Sequence, residues 1–209
     1  MKVKICGITD EKTALFAAEQ GADALGFVFA ESKRKISLPS AKAIIARLPD
    51  HVEKVGVFVN EKQENIEYIA EEAGLTAIQL HGDETPAFCR LFSLPVIKAF
   101  NIRDARDLEK LHLYDCEYVL LDSPAGKYRG GNGISFDWEL LRDARPAGKK
   151  MILAGGLTAE NVGEAIRKAE PYMVDVSSGV ESGGKKDLQK IRNFIKAAKS
   201  AGTAAAKHL

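Results

Sequence analysis

The chain has 209 residues, 45% of them hydrophobic and 28% charged, and a formal net charge of +1. That is enough apolar material for one large core in the size range of single-domain barrels. A near-neutral balance argues against nucleic-acid binding or an anionic membrane surface, either of which calls for a basic excess.

Three cysteines, Cys6, Cys89 and Cys116, lie far apart with no CxxC pair and no histidines at metal-ligand spacing. Lys2 and Lys4 interrupt the only apolar stretch at the N-terminus, so neither a membrane span nor a signal segment is expected. The expectation is a soluble protein of the reducing cytoplasm, with free thiols and a small-molecule partner.

In chain order, eight β-branched or apolar runs stand out: KVKIC, ALGFVF, KVGVFV, TAIQL, PVIKAF, YVLLD, KMILAGG and YMVDVSS. Each precedes a stretch with helical spacing. After the first run, residues 10–20 place Ala14, Leu15 and Ala18 on one face, with Asp10 to cap the helix and Gly21 to stop it. The next helix enters through Pro39 and ends before Pro49. The third runs from a cap at Asn60 to Gly74, with Ile66, Tyr68, Ile69 and Ala73 available for burial. ETPAFCRLF and DARDLEKLHLY are weaker helical segments, and SFDWELLRDA, TAENVGEAIRKA and DLQKIRNFIKAAKSA complete eight strand–helix units.

Strands alternating with helices predict right-handed crossovers and a parallel sheet covered on both sides. An open doubly wound sheet fits the alternation. Eight successive units fit a closed barrel better, because closure removes the exposed edges. The fold class expected is therefore α/β, a single-domain (β/α)8 TIM barrel over residues 1–200, with residues 201–209 as a small, polar tail expected to fray.

Such barrels carry their chemistry at the C-terminal ends of the strands. Those ends are Cys6, the loop with Arg34, Asn60, His81, Lys98, Asp122, the pair Gly155-Gly156, and Asp175. Taken alone, Asn60 reads as a helix cap and Lys98 as a lysine reaching solvent. LAGGLTAENV after strand seven and VSSGVES after strand eight supply Gly155, Gly156, Ser178 and Gly179, where backbone N–H groups can approach an anion. These two loops are the usual phosphate site of the fold, so a phosphorylated small-molecule substrate is expected. The long, glycine-rich loop DSPAGKYRGGNGISFDW has the character of a lid, and its Lys127 and Arg129 suit either an anionic ligand or plain solvent. Cys89, Cys116 and Trp138 read as packing residues.

KICGIT, GADALGFVF with SKRKI, VGVFVN, QLHGDE, KAF, LLDS followed by GGNG and FDW, LAGGLTAENV, and VDVSSGVES before KKD occur in that order between residues 2 and 187. Together they resemble the phosphoribosylanthranilate isomerase family. The resemblance implies an enzyme of tryptophan biosynthesis that converts N-(5-phospho-β-D-ribosyl)anthranilate, an aminoaldose, into the corresponding 1-deoxyribulose 5-phosphate by an Amadori rearrangement. It implies no metal and no organic cofactor. It assigns Cys6 as general base and Asp122 as general acid, Arg34 to the anthranilate carboxylate, and the backbone around Gly155, Gly156, Ser178 and Gly179 to the phosphate. His81 and Asp175 enter as neighbours at the same rim. GGNG departs from the expected GGTG, placing Asn132 where a threonine is usual.

The chemistry sets demands on both groups. An ordinary aspartate, with a pKa near ~3.9, is ionised at neutral pH, so the acid role requires a rise of roughly three pH units, or about 4 kcal/mol. Burial beside Val119–Leu121 and an anionic substrate both act in that direction. A thiol near ~8.5 is only a few per cent thiolate at pH 7, so the base role favours donors or cations close to Cys6. Other phosphate-binding barrels, a histidine-pathway aminoaldose isomerase or a pentose-phosphate epimerase, are the enzyme alternatives. A catalytically idle phosphate-ligand barrel is the alternative from another class. Monomer and homodimer are equally open.

Overall fold

The computed structural model describes residues 1–122, 138, 141 and 148–205. Eight parallel strands, β1 (Lys2–Cys6), β2 (Ala24–Val28), β3 (Glu53–Phe58), β4 (Ala77–Leu80), β5 (Val96–Asn101), β6 (Tyr118–Asp122), β7 (Lys150–Leu153) and β8 (Met173–Val176), follow one another around a closed barrel. Closure is made by β1 against β8, where Val3 lies beside Val174 and Ile5 beside Val176.

Strand periodicity sorts each apolar run into two faces. Val3 and Ile5 of β1, Val119 and Leu121 of β6, and Val174 and Val176 of β8 belong to the large core between strands and helices. Ala24, Val55, Ala77, Ala99, Leu120, Ile152 and Met173 form a separate small cluster inside the barrel. The inner face therefore carries small and medium side chains low in the barrel and polar ones toward the C-terminal rim: Lys4 and Cys6 on β1, Asp122 ending β6, Asp175 on β8.

The helices are α1 (Glu11–Glu19), α2 (Leu38–Ile45), α3 (Gln63–Ala73), α4 (Pro86–Cys89), α5 (Ala105–Glu109), α6 (Val162–Ala169) and α7 (Leu188–Ala205). Asp10 caps α1 by accepting from the Thr13 N–H at 2.9 Å and its hydroxyl at 2.8 Å, and Gly21 follows the helix at φ 94°. The two weak segments are short: α4 has four residues, and α5 has five before passing into a single 3₁₀ turn at Lys110–Leu113. The helix expected within SFDWELLRDA lies outside the described residues, apart from the buried Trp138 and Leu141. α7 continues to Ala205, beyond residue 200, where the backbone of Met1 lies close against Gly202. A run rich in alanine has the propensity to extend a helix that is already nucleated.

Two local expectations are corrected. Asn60 does not cap α3, which starts at Gln63 after Lys62. Asn60 instead adopts the left-handed conformation (φ 50°), donates its N–H to Glu84 Oε1 at 2.8 Å and accepts from the Asp83 N–H at 2.7 Å. Tyr68 is 57% exposed, and the buried positions of α3 are Ile66, Ala70 and Ala73. A tyrosine two residues after Ile66 falls on the opposite face of a 3.6-residue helix.

Candidate active site

The C-terminal ends of the strands open into a cavity of about 750 Å³. Cys6, Arg34, His81 and Asp122 line it, as do Gly155 and Gly156 after β7, and Asp175, Ser178 and Gly179 at and after β8. Every rim residue assigned from the sequence to catalysis or binding is thus brought to one cavity. Lys98 is not among the lining residues. It is neither solvent-facing nor at the site: its ammonium is buried and donates to Gly82 O at 2.8 Å, to Glu84 Oε2 and Ala99 O at 3.1 Å, and to Leu80 O at 3.3 Å. Lys98 pins the rim between β4 and β5. Cys89 and Cys116 are buried away from the cavity lining. Lys127, Arg129 and Asn132 lie outside the described residues.

The glycine after Cys6 answers to two constraints. Gly7 sits at φ 81°, and a Cβ there would stand 2.5 Å from Cδ of Arg34, so a larger residue would both strain the turn and push Arg34 aside. On the neighbouring strand, Gly26 makes room for the thiol, since a Cβ at that position would lie 2.7 Å from Cys6 Sγ.

Cys6 shares its surroundings with two buried cations. Lys4, two residues earlier on the same inward face, pairs with Asp175 Oδ1 at 3.0 Å. Burial works to lower the Lys4 pKa, but the charges of Asp175 and Cys6 outweigh it and hold the ammonium above its usual value. Burial pushes the Cys6 thiol up; Lys4 and Lys186 pull it down and Asp175 adds to the rise, leaving it above the ordinary thiol value. The outcome is a basic thiolate, scarce when free but held beside cations that favour it.

Across the cavity, Asp122 is buried and its Oδ2 lies 3.7 Å from His81 Nε2. Gln79 Nε2 lies 3.1 Å from His81 Nδ1. Gln79 on β4 and His81 just past its end line the same cavity as the carboxyl group that ends β6.

The two glycine loops meet backbone to backbone. Gly155 and Gly156 hold φ 84° and 63°, and Asn161 clamps the turn by accepting from Thr158 N–H at 2.8 Å and donating to Gly156 O at 2.9 Å. A Cβ on Gly179 would come within 1.9 Å of Leu157 O. Glycine is therefore required where the loops after β7 and β8 close on each other, and their N–H groups can reach an anion without interposed side chains.

Arg34 has a partner that the sequence reading did not foresee. Its Nε and Nη2 donate to the two carboxylate oxygens of Glu181 at 2.7 and 2.9 Å. Gln79, which lines the cavity, and Lys4, Lys186 and Glu181, which pair with its lining residues Asp175, Ser177 and Arg34, carry no assignment in the sequence analysis. Period-two alternation did carry a signal for Lys4, which falls on the face of Cys6. Among the described residues, no group of three or more His, Cys, Asp or Glu side chains is placed to hold a metal ion.

A closed (β/α)8 barrel whose C-terminal rim gathers a thiol, a carboxyl group and an anion-ready pair of glycine loops is the architecture of a barrel enzyme for a small anionic substrate. The model of the N-(5'-phosphoribosyl)anthranilate (PRA) isomerase family matches residues 3–197. The N-(5'-phosphoribosyl)anthranilate isomerase of Bacillus cereus (strain G9842) is 58% identical over 196 residues, covering 93% of this chain and 96% of that protein. The crystal structure of phosphoribosyl anthranilate isomerase from Thermotoga maritima superposes with a TM-score of 0.90 at 46% identity, covering 96% of this chain and 99% of that one. A further structure of such an isomerase, at 45% identity, TM-score 0.86 and coverage of 96% and 99%, is a complex with reduced 1-(o-carboxyphenylamino)-1-deoxyribulose 5-phosphate. The chain belongs to the phosphoribosylanthranilate isomerase family.

Proposed function

We propose that the chain catalyses the Amadori rearrangement of N-(5-phospho-β-D-ribosyl)anthranilate to 1-(2-carboxyphenylamino)-1-deoxy-D-ribulose 5-phosphate, a step of tryptophan biosynthesis. The observation that carries this reading is the convergence of Cys6 and Asp122 on one cavity that also receives both glycine loops. The phosphate is assigned to the backbone of Gly155, Gly156, Ser178 and Gly179, and the anthranilate carboxylate to Arg34. Asp122, beside His81, donates a proton to the ring oxygen as the C1–O bond breaks, giving an open-chain Schiff base. The Cys6 thiolate then removes the proton from C2, and the resulting enolamine tautomerises to the ketone. Atoms and electrons balance within the substrate, so the scheme calls for no cofactor. Three free thiols are in keeping with action in the reducing cytoplasm.

A positioned acid and a positioned base each contribute about 10²- to 10⁴-fold. Single-turnover conversion of freshly generated substrate, followed by the loss of anthranilate-type fluorescence, tests the scheme in wild type, Cys6→Ala and Asp122→Asn. Both variants are expected to bind the reduced product analogue while losing turnover on that scale. Near-normal turnover in Cys6→Ala would remove Cys6 from the base role, and an inactive wild type would overturn the reaction assignment.

A further inference from the structure

The sequence ESGGKK after β8 folds as a small antiparallel hairpin, β9 (Glu181–Ser182) and β10 (Lys185–Lys186). Gly183 and Gly184 turn it at φ 58° and 76°. Two successive positive φ angles make the two-residue turn whose twist matches its strands, and that turn sets the register. It places Lys186 directly opposite Glu181. The ammonium and carboxylate are 2.7 Å apart, with side chains 3% and 10% exposed.

From this pair, contacts run into the site in two directions. The Glu181 carboxylate takes both donors of Arg34, as described above. Lys186 Nζ also donates to Ser177 O at 2.9 Å and to Ser177 Oγ at 3.2 Å. The Ser177 hydroxyl in turn donates to the carbonyl of Cys6 at 3.0 Å. Burial lowers the Lys186 pKa against the pull of Glu181, whereas Arg34 and Lys186 outweigh burial to keep Glu181 below its usual range.

The triad of Arg34, Glu181 and Lys186 holds two cations and one anion in a largely dehydrated place. A buried charge is costly unless balanced, so the triad favours one further negative charge. Arg34 lines the cavity, and its pairing with Glu181 uses Nε and Nη2, leaving the Nη1 side of the fork outside that pair. A planar guanidinium held along one edge can present the next edge to a second carboxylate without losing further rotamer freedom.

We propose that Glu181 and Lys186 are positioning residues of this site: Glu181 fixes the Arg34 guanidinium in the orientation that receives the substrate carboxylate, and Lys186 locks Glu181 in place while tying it to Ser177 beside Cys6. The assignment rests on the substrate proposed above. Neither side chain meets the reacting carbons in the scheme, so the loss of Glu181 falls on affinity for the carboxylate-bearing ligand rather than on phosphate capture, and the loss of Lys186 adds to that the loss of a cation beside Cys6.

The test titrates two probes, the reduced product analogue and inorganic phosphate, into wild type, Glu181→Gln, Lys186→Met, Arg34→Ala and the Arg34→Ala/Glu181→Gln double variant. KM, kcat and melting temperature are measured on each. Glu181→Gln and Lys186→Met are expected to weaken analogue binding and raise KM by about 10- to 100-fold, the scale of one charge-assisted contact. The kcat of Glu181→Gln should change far less, whereas Lys186→Met also removes a cation that favours the Cys6 thiolate and should lower kcat at neutral pH as well; phosphate binding should be unaffected in both. Adding Glu181→Gln to Arg34→Ala should weaken analogue binding no further, because the carboxylate acts through Arg34.

Wild-type analogue affinity in Glu181→Gln, an equal loss for inorganic phosphate, or full additivity in the double variant would each overturn the proposal. If Lys186→Met does not fold, Glu181→Gln and the double variant decide the question. Wild type without turnover overturns the proposed reaction; an active wild type with indifferent Glu181 and Lys186 variants overturns only the positioning role.

Discussion

The tight packing of Gly179 against Leu157 yields a prediction with a geometric magnitude. In Gly179→Ala the new methyl group would stand 1.9 Å from Leu157 O and 3.0 Å from Leu157 C. Carbon and oxygen do not approach that closely, so the loops after β7 and β8 must part by about 1 Å, and the obstacle is backbone rather than a side chain that can swing away. Hydrogen bonds from fixed N–H groups to phosphate oxygens operate within roughly 2.7 to 3.2 Å, so a shift of this size removes at least one of them. A bond to a charged group contributes about 1.5–3 kcal/mol, which translates to roughly 10- to 100-fold in phosphate affinity. The phosphate is remote from C1 and C2, so most of the loss should appear as a raised KM.

The assay pairs steady-state kinetics with competition by inorganic phosphate, and uses Gly74→Ala as a control. Gly74 ends α3 at φ 72°, and a Cβ there would touch only Ile45 Cγ2 at 3.8 Å. That variant should lose about 1 kcal/mol of stability from backbone strain and keep its KM. Wild-type phosphate affinity and KM in Gly179→Ala would refute the assignment of these loops to the phosphate.

Other substitutions separate neighbouring roles. Asp175→Asn removes an anion that raises the Cys6 thiol and releases Lys4 to favour the thiolate. A base must be deprotonated to act, so the rising limb of kcat/KM against pH should move to lower pH, together with the pH dependence of Cys6 alkylation; an unmoved limb would show that Cys6 does not feel this carboxylate. Gly26→Ala places a methyl 2.7 Å from Cys6 Sγ and should depress kcat while leaving analogue affinity close to wild type, an outcome checked by the same titration. Lys98→Met leaves the Glu84 carboxylate buried without its cation and should cost about 3–5 kcal/mol in urea unfolding, less what the Asn60 and Gly82 N–H groups retain. Because Lys98 does not line the cavity, the folded fraction should keep its kcat, and a folded but inactive variant would contradict the pinning role.

The barrel was legible because each strand carries its own evidence: a short apolar run, a turn, then a helical stretch. The rim was legible for the same reason, since a polar residue that ends an apolar run, as Asp122 ends YVLLD, lies at the rim by construction. The partner of Arg34 was not legible. Glu181 is 147 residues away, and the contact joins the loop after β2 to the first strand of the β9–β10 hairpin, two segments with no strand pairing between them. Asn60 failed differently: an asparagine before a helix is a good cap, but here a left-handed turn and Glu84 claim it first.

KVKIC holds the sharper lesson. Lysine alternating with valine and isoleucine reads as a strand with one face in water, and that reading makes Lys4 a surface residue. Once β1 closes against β8, Val3 and Ile5 turn outward into the core beneath the helices, and the polar face becomes the interior of the barrel. Burying that lysine is tolerable only because Asp175 lies beside it in register, with Lys4 paired to Asp175 across β1 and β8. Alternation alone cannot tell a solvent face from a barrel lumen. A lysine two residues before a candidate catalytic cysteine, matched by an aspartate on the strand that closes the barrel, is therefore a signal of the lumen, because only there do the two residues need each other.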